Sequence, residues 1–216
     1  IAKRETNLEI YPSEEEPVSV FMAGSPGAGK TEASLELLAT FSSDGMQIVR
    51  IDPDELRSDF EEYNGENSWL FQGAISILVD RILDLAFKQE QSFLLDGTLS
   101  NYKIAARNIE RSLKRDRVVQ ILYVYQKPEL AWEFVRAREV SEGRRVPPEQ
   151  FIEQYFAARE VVNQLKKNFG VDLRVDLLLK NNDNTNRWYK AGIDQIDYHI
   201  PEKYDRDALV ELIRLN

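Results

Sequence analysis

From residue 18 to residue 179 the chain alternates short apolar runs with longer segments whose apolar positions recur every three or four residues. The short runs predict strands at Val18–Ala23, Gln47–Ile51, Ser92–Leu95, Val118–Tyr125 and Arg174–Leu179. The longer segments predict helices at Thr31–Phe41, Ser68–Lys88, Tyr102–Lys114, Pro128–Ser141 and Pro148–Phe169. Strands that are apolar on both sides of the pleat belong inside a domain. The alternation therefore implies an α/β fold, a central parallel sheet flanked by helices on both faces. In the second predicted helix Leu70, Ile77, Leu78, Ile82 and Leu85 share a face at helical spacing, which assigns them to the core. Residues 1–17 are polar, with Glu14, Glu15 and Glu16 between prolines, and read as a solvated lead-in. Residues 180–206 read as an irregular excursion before a last helix near Asp207–Arg214. No internal repeat and no strong linker interrupts the pattern, so residues 1–216 are expected to form one domain.

The first predicted strand runs into Gly24, Ser25, Pro26, Gly27, Ala28, Gly29, Lys30 and Thr31, which satisfy the phosphate-loop pattern G-x-x-x-x-G-K-[ST], and a helix follows. The mechanism of that loop requires this order. Backbone N–H groups at a helix N-terminus ring the phosphate oxygens, and glycines stand where a Cβ would block their approach. Lys30 is expected on the β- and γ-phosphates of a nucleotide, and the Thr31 hydroxyl on Mg²⁺.

Three further segments carry charge toward such a site. Leu94-Leu95-Asp96-Gly97-Thr98 ends an apolar run with a carboxylate, the position from which a second acid holds Mg²⁺ or its water, although Asp-Gly also suits an ordinary turn. After the second strand, Asp52 reads as a helix N-cap, Pro53 as the first helical position and Glu55 as the closing member of a capping box. Asp54 is left without a structural task near the carboxyl edge of the sheet, where open α/β sheets bind ligands. It is either a surface acid or the base that takes an acceptor's hydroxyl proton. Finally, Arg136, Arg138, Arg144 and Arg145 surround Gly143 between two helices. They either pair with Glu139 and Glu142 as surface charges or form a mobile lid whose guanidinium forks neutralise phosphoryl-transfer charge.

Composition narrows the chemistry. With 28 Lys+Arg against 37 Asp+Glu the net charge is −9, which argues against sequence-blind nucleic-acid binding. The row Arg107, Arg111 and Lys114 or Arg115 accordingly reads as a solvated helix face. The absence of Cys excludes disulfides, zinc ribbons and thiol nucleophiles, and the single His199 excludes a poly-His metal site and reads as structural. Asn181-Asn182-Asp183 lacks the lysine of a guanine-reading N-K-x-D box. No apolar stretch approaches the ~18 residues of a membrane span, and no basic-then-apolar leader is evident, so the expected location is the cytoplasm.

Taken in order, the phosphate loop, D-P-D-E-L-R after the second strand, D-G-T after the third and R-x-x-x-x-G-R-R-V-P between two helices resemble the zeta-toxin family of bacterial toxin–antitoxin systems. The resemblance runs over residues 17–180. It implies a P-loop kinase-like domain with parallel strand order 2-3-1-4-5 and ATP as phosphoryl donor with Mg²⁺. It also implies UDP-N-acetylglucosamine as acceptor and a cognate antitoxin protein as partner. Carried over residue by residue, Lys30 and Thr31 look like the ATP-phosphate and Mg²⁺ ligands, and Asp54 like the general base. Asp80 lies sixteen residues before Asp96, where the family often has a Glu that touches the sugar. Asp96 stands where the family often has the Glu of E-G-T, and Thr98 matches that motif's threonine. Arg138 and Arg145 match the two phosphate-clamping arginines. Other readings are a P-loop kinase for a different acceptor, such as a polynucleotide 5′-hydroxyl or an antibiotic, and a non-catalytic nucleotide-binding switch.

Overall fold

The computed structural model describes residues 1–143, 145–183 and 185–215, and in it the apolar runs lie side by side as strands. Along the chain, α1 (Ala2–Glu5) precedes β1 (Val18–Ala23) and α2 (Lys30–Ser43). Next, β2 (Val49–Ile51) leads through two 3₁₀ turns, Glu55–Asp59 and Ser68–Phe71, into α3 (Gln72–Lys88). Then come β3 (Phe93–Leu95), α4 (Tyr102–Leu113), β4 (Val118–Tyr125), α5 (Pro128–Glu142) and α6 (Pro148–Phe169). The chain closes with β5 (Arg174–Lys180), β6 (Asn186–Lys190) and α7 (Arg206–Leu215).

The sheet order is β2-β3-β1-β4-β5-β6, so the first five strands follow the order that the family resemblance implies and run parallel. The sixth corrects the expectation of a wholly parallel sheet and of an irregular excursion at 180–206. Asn186–Lys190 pairs antiparallel with β5 and makes the sheet mixed, mostly parallel. Its sequence, Asn-Arg-Trp-Tyr-Lys, has no apolar alternation because it lies at an edge, where charged side chains also discourage further pairing.

Successive side chains divide the core in two. Val20, Met22, Leu94, Leu122, Val124 and Leu178 pack with α2 on one face. Phe21, Ile51, Phe93, Ile121, Tyr123 and Leu177 meet α3, α4 and α6 on the other, much larger one. Within α3 the core stripe is Ile75, Ile82, Leu83, Ala86 and Phe87, whereas Leu70 is 59 % and Ile77 65 % exposed. This corrects the predicted apolar face at two positions. Leu70 belongs to the 3₁₀ turn, which winds differently from the helix after it, and Ile77 sits about 140° around the helix from Ile82.

The polar lead-in is docked rather than free. Arg4 grips Asp59 through two bonds of 2.9 and 2.7 Å, and the buried Gln91 side chain donates to the carbonyls of Thr6 (3.2 Å) and Tyr11 (2.6 Å). No helix among the described residues is long and apolar enough to cross a membrane. Because β1 to β5 are parallel, their carboxyl ends open on one edge, where the loops carrying the predicted motifs collect.

Candidate functional site

The phosphate loop is shaped by close backbone approach. Gly24 has φ 138° and Gly27 φ 71°; a Cβ on either would come within 2.3 Å of the Val124 carbonyl oxygen or 2.0 Å of that of Ala131. Only glycine fits both demands. No side chain caps the N-terminus of α2, the kind of helix end at which backbone N–H groups meet an anion. The Lys30 ammonium folds over the loop, donating to the carbonyls of Gly24 (3.1 Å) and Ser25 (2.7 Å). A narrow cradle of this kind, with an ammonium at its rim, fits a nucleotide polyphosphate.

Beside it lies a buried charge network. Asp96, 6 % exposed, accepts from the Ser34 hydroxyl at 2.9 Å and the Arg50 guanidinium at 3.2 Å. The single Ser34 hydroxyl hydrogen is shared between Asp96 and the Thr31 carbonyl (2.8 Å), which ties the end of β3 to the first turn of α2 next to Thr31. Asp52 accepts from the backbone N–H groups of Asp54 (2.8 Å) and Glu55 (3.4 Å), but the 3₁₀ turn begins only at Glu55 with Asp54 at its N-cap position, which corrects the expectation of Asp52 as cap and Pro53 as first helical residue. The capping box does not close: the Glu55 carboxylate goes to Arg50 at 2.6 Å, and Arg50 also holds Asp52 at 2.6 Å. Burial, reinforced by the charge of Asp96, pushes the Asp52 carboxyl above the usual carboxylate range. Asp54, on the same short segment, remains partly exposed and is ion-paired with Arg57. The Thr98 hydroxyl shares a hydrogen bond with Ser100 (3.1 Å), and its carbonyl accepts from Gly24 N–H (3.3 Å), anchoring D-G-T to the start of the phosphate loop.

Among the described residues no cluster of three or more His, Cys, Asp or Glu could hold a metal ion. The donors on offer near the loop, the Thr31 hydroxyl and the Asp96 carboxylate, are few and hard. That set suits Mg²⁺, which takes most of its ligands from phosphate oxygens and water.

On the opposite wall, α5 ends at Gly143, whose left-handed φ of 71° breaks the helix. Arg138 bonds Glu142 from Nε and from its terminal nitrogen at 3.2 Å. Desolvation opposes its charge, but Glu142 outweighs that and raises its pKa, and Asp54 and Glu32 add their fields. Arg138 therefore lies within electrostatic reach of both Asp54 and the first turn of α2. Arg145 is exposed, 3.8 Å from Glu139, and Arg144 lies outside the described residues.

Asp80, midway along α3, pairs with Arg107 of α4 at 2.6 Å, and one turn on Asp84 pairs with Arg111. The row expected as a solvated helix face is thus half of an ion-pair ladder between parallel neighbours. His199 stands by β6, its ring 6.3 Å from that of Trp188, and slight burial together with Lys190 lowers its pKa. The Asn181 side chain closes the β5–β6 turn by donating to Thr185 (2.9 Å).

Sequence reasoning missed Ser34, Arg50 and Arg57. Each left a faint signal: a hydroxyl one turn after Thr31, a charge inside a predicted strand, and an arginine three residues after Asp54.

Against known proteins, the family model described as Zeta toxin matches residues 2–194. No curated protein sequence matches the chain. Among solved structures, the chain resembles one from the PezAT chromosomal toxin–antitoxin system of Streptococcus pneumoniae. The TM-score is 0.66 at 16 % identity, covering 99 % of this chain and 88 % of that one. It also resembles a chain in AvrRxo1-ORF1:AvrRxo1-ORF2 with ATP, with TM-score 0.68 and 18 % identity, covering 86 % of this chain and 62 % of that one. A more distant match is to the Pnkp1/Rnl/Hen1 RNA repair complex, with TM-score 0.56 and 14 % identity over 71 % of this chain and 47 % of that one.

Proposed function

The chain belongs to the zeta-toxin family of ATP-dependent P-loop kinases, and from that premise we propose that it transfers the γ-phosphoryl group of ATP to a sugar hydroxyl of UDP-N-acetylglucosamine or a closely related UDP-sugar. The observation that carries this reading is the phosphate loop at the carboxyl end of β1, where Gly24 and Gly27 press against the Val124 and Ala131 carbonyls and the Lys30 ammonium sits at the rim. In this reading Asp54 as base and Arg138 as clamp serve the same edge of the sheet. The glycine-walled loop and the α2 N-terminus bind and orient the triphosphate, with Lys30 leaving the Gly24 and Ser25 carbonyls for phosphate oxygens. Thr31 and Asp96 would hold Mg²⁺, which neutralises charge on the β- and γ-phosphates when bound. Asp54 takes the proton of the attacking hydroxyl. Arg138, exchanging Glu142 for phosphate, and Arg145 stabilise the equatorial oxygens. Asp80 and Thr98 are the side chains for sugar hydroxyls in this reading, Asp80 by exchanging Arg107. A cognate antitoxin protein is the partner this family membership suggests.

The test is a competition. With ATP and Mg²⁺, a pool of UDP-sugars, nucleosides and oligonucleotides is followed by ³¹P NMR and product mass. A new sugar phosphate on a UDP-sugar is expected, and a UDP-sugar lacking the acceptor hydroxyl is expected to bind without turnover. Phosphate appearing on an oligonucleotide or nucleoside instead overturns the acceptor and leaves the kinase.

A further inference from the structure

A second charged side chain is buried beside the base. Arg57 follows Asp54 by three residues in the 3₁₀ turn Glu55–Asp59, and its side chain is 9 % exposed against 36 % for Asp54. One terminal nitrogen is ion-paired with Asp54 Oδ1; the other donates to the side-chain oxygen of Gln72, the first residue of α3, at 3.3 Å. The Arg57 Nε is buried with no partner among the described residues. The turn itself is anchored: Leu56, 5 % exposed, donates its N–H to the Asp52 carbonyl at 3.0 Å, and Asp52 is in turn fixed by Arg50.

An aspartate carboxylate swings about two torsions, and a base works only with one oxygen held within hydrogen-bond reach of the reacting hydroxyl. We propose that Arg57 is the positioning residue for this reaction: braced by Gln72, it fixes the orientation in which the Asp54 carboxylate meets the acceptor hydroxyl. The inference rests on the reading of Asp54 as the base. In the step it serves, the acceptor O–H proton passes to the Asp54 carboxylate as the acceptor oxygen bonds the γ-phosphorus. The bond from that phosphorus to the β–γ bridging oxygen breaks, ADP leaves, and Asp54 returns its proton to water. Burial argues that Arg57 acts through Asp54 rather than on the substrate, since a guanidinium packed under the turn has little surface for a ligand. Geometry matters as much as charge here. A lysine would supply the positive charge but not the planar fork that spans Asp54 and Gln72.

The experiment compares Arg57→Gln, Arg57→Lys and Gln72→Leu in the full chain, with Asp54→Asn alongside. Total phosphorylated product from the acceptor pool is measured at varied ATP. Arg57→Gln is expected to lower kcat about a hundredfold with the KM for ATP nearly unchanged, and millimolar guanidinium is expected to restore part of the loss. Arg57→Lys falls between the two. A folded Arg57→Gln with wild-type kcat overturns the proposal, as does a rise in KM for ATP equal to the fall in kcat or a defect that guanidinium leaves untouched. Should Arg57→Gln not fold, Gln72→Leu decides: about a tenfold loss of kcat at an unchanged Tm is expected, and no loss overturns the proposal. Asp54→Asn separates the two readings. Wild-type transfer in that variant overturns the base assignment itself, whereas an inactive Asp54→Asn beside a fully active Arg57→Gln overturns only the role of Arg57.

Discussion

The phosphate loop and the wall of charged side chains that faces it share one edge of the sheet but are held by different means. The loop takes its shape from the main chain: glycines pressed against the Val124 and Ala131 carbonyls, and a helix N-terminus behind them. Across from it the groups are side chains held by other side chains. Asp54 is paired with Arg57, Arg138 with Glu142, Asp80 with Arg107, and Asp96 with Ser34 and Arg50. A main-chain site is rigid before its ligand arrives. On the proposed function, an ion-paired site would exchange partners, protein carboxylate for phosphate or guanidinium for sugar hydroxyl, and so reorganise around each substrate. That reading separates donor binding, built into the fold, from acceptor choice, written in replaceable pairs.

The largest effect that would break this comparison is at Lys30. Lys30→Ala removes a contact that strengthens as the γ-phosphoryl group leaves, so turnover is expected to fall about a thousandfold or more with an unchanged circular dichroism spectrum. Unchanged turnover would mean that the loop does not serve phosphate. On the opposing wall, Asp54→Asn is expected to lower transfer by about 10²–10⁴-fold while ATP affinity, read by titration calorimetry, stays near wild type. Asp52→Asn sharpens the contrast, because its expected effect is on stability. The Asp52 carboxyl is raised by burial, so the stability that its proton contributes is present below the usual carboxylate value of about 3.9. It is lost as pH rises through the higher folded value. Denaturant melts taken as pH rises above the usual carboxylate value are therefore expected to show a shallower decline in Asp52→Asn; catalysis lost there and intact in Asp54→Asn would exchange their roles.

The smallest expected effect lies away from both walls. Arg4 lowers the pKa of Asp59, so this pair contributes stability above the usual carboxylate value and loses it as pH falls through the lowered one, the opposite sign to Asp52. Arg4→Ala is expected to blunt the acid limb of the melting curve slightly and to speed amide exchange in residues 1–11, with transfer unaffected. An acid limb identical to wild type would show that the lead-in is held by Gln89 and Gln91 instead.

Much of this was legible in the chain because it depends on neighbours in sequence. Apolar runs marked β1 and β4 to the residue, since a strand buried on both faces has no alternation to obscure. The phosphate loop was legible because its glycines answer to local backbone geometry. Edge strand β6 escaped, its polar residues carrying no hydrophobic signal, and so did the exposure of Leu70 and Ile77, which depends on where the 3₁₀ turn yields to helix.

By itself, then, the sequence determined the parallel strands, the helices between them and a nucleotide cradle at the end of β1, each a consequence of hydrophobic period or of φ angles open only to glycine. Tertiary structure alone decided which charges far apart in the chain meet. Asp96 reaches Ser34 across 62 residues and Arg50 across 46, and Arg107 reaches Asp80 across 27. A carboxylate's partner is selected by the crossing of strands and helices in space and by what burial leaves unpaired, and neither is encoded in the spacing of residues along the chain.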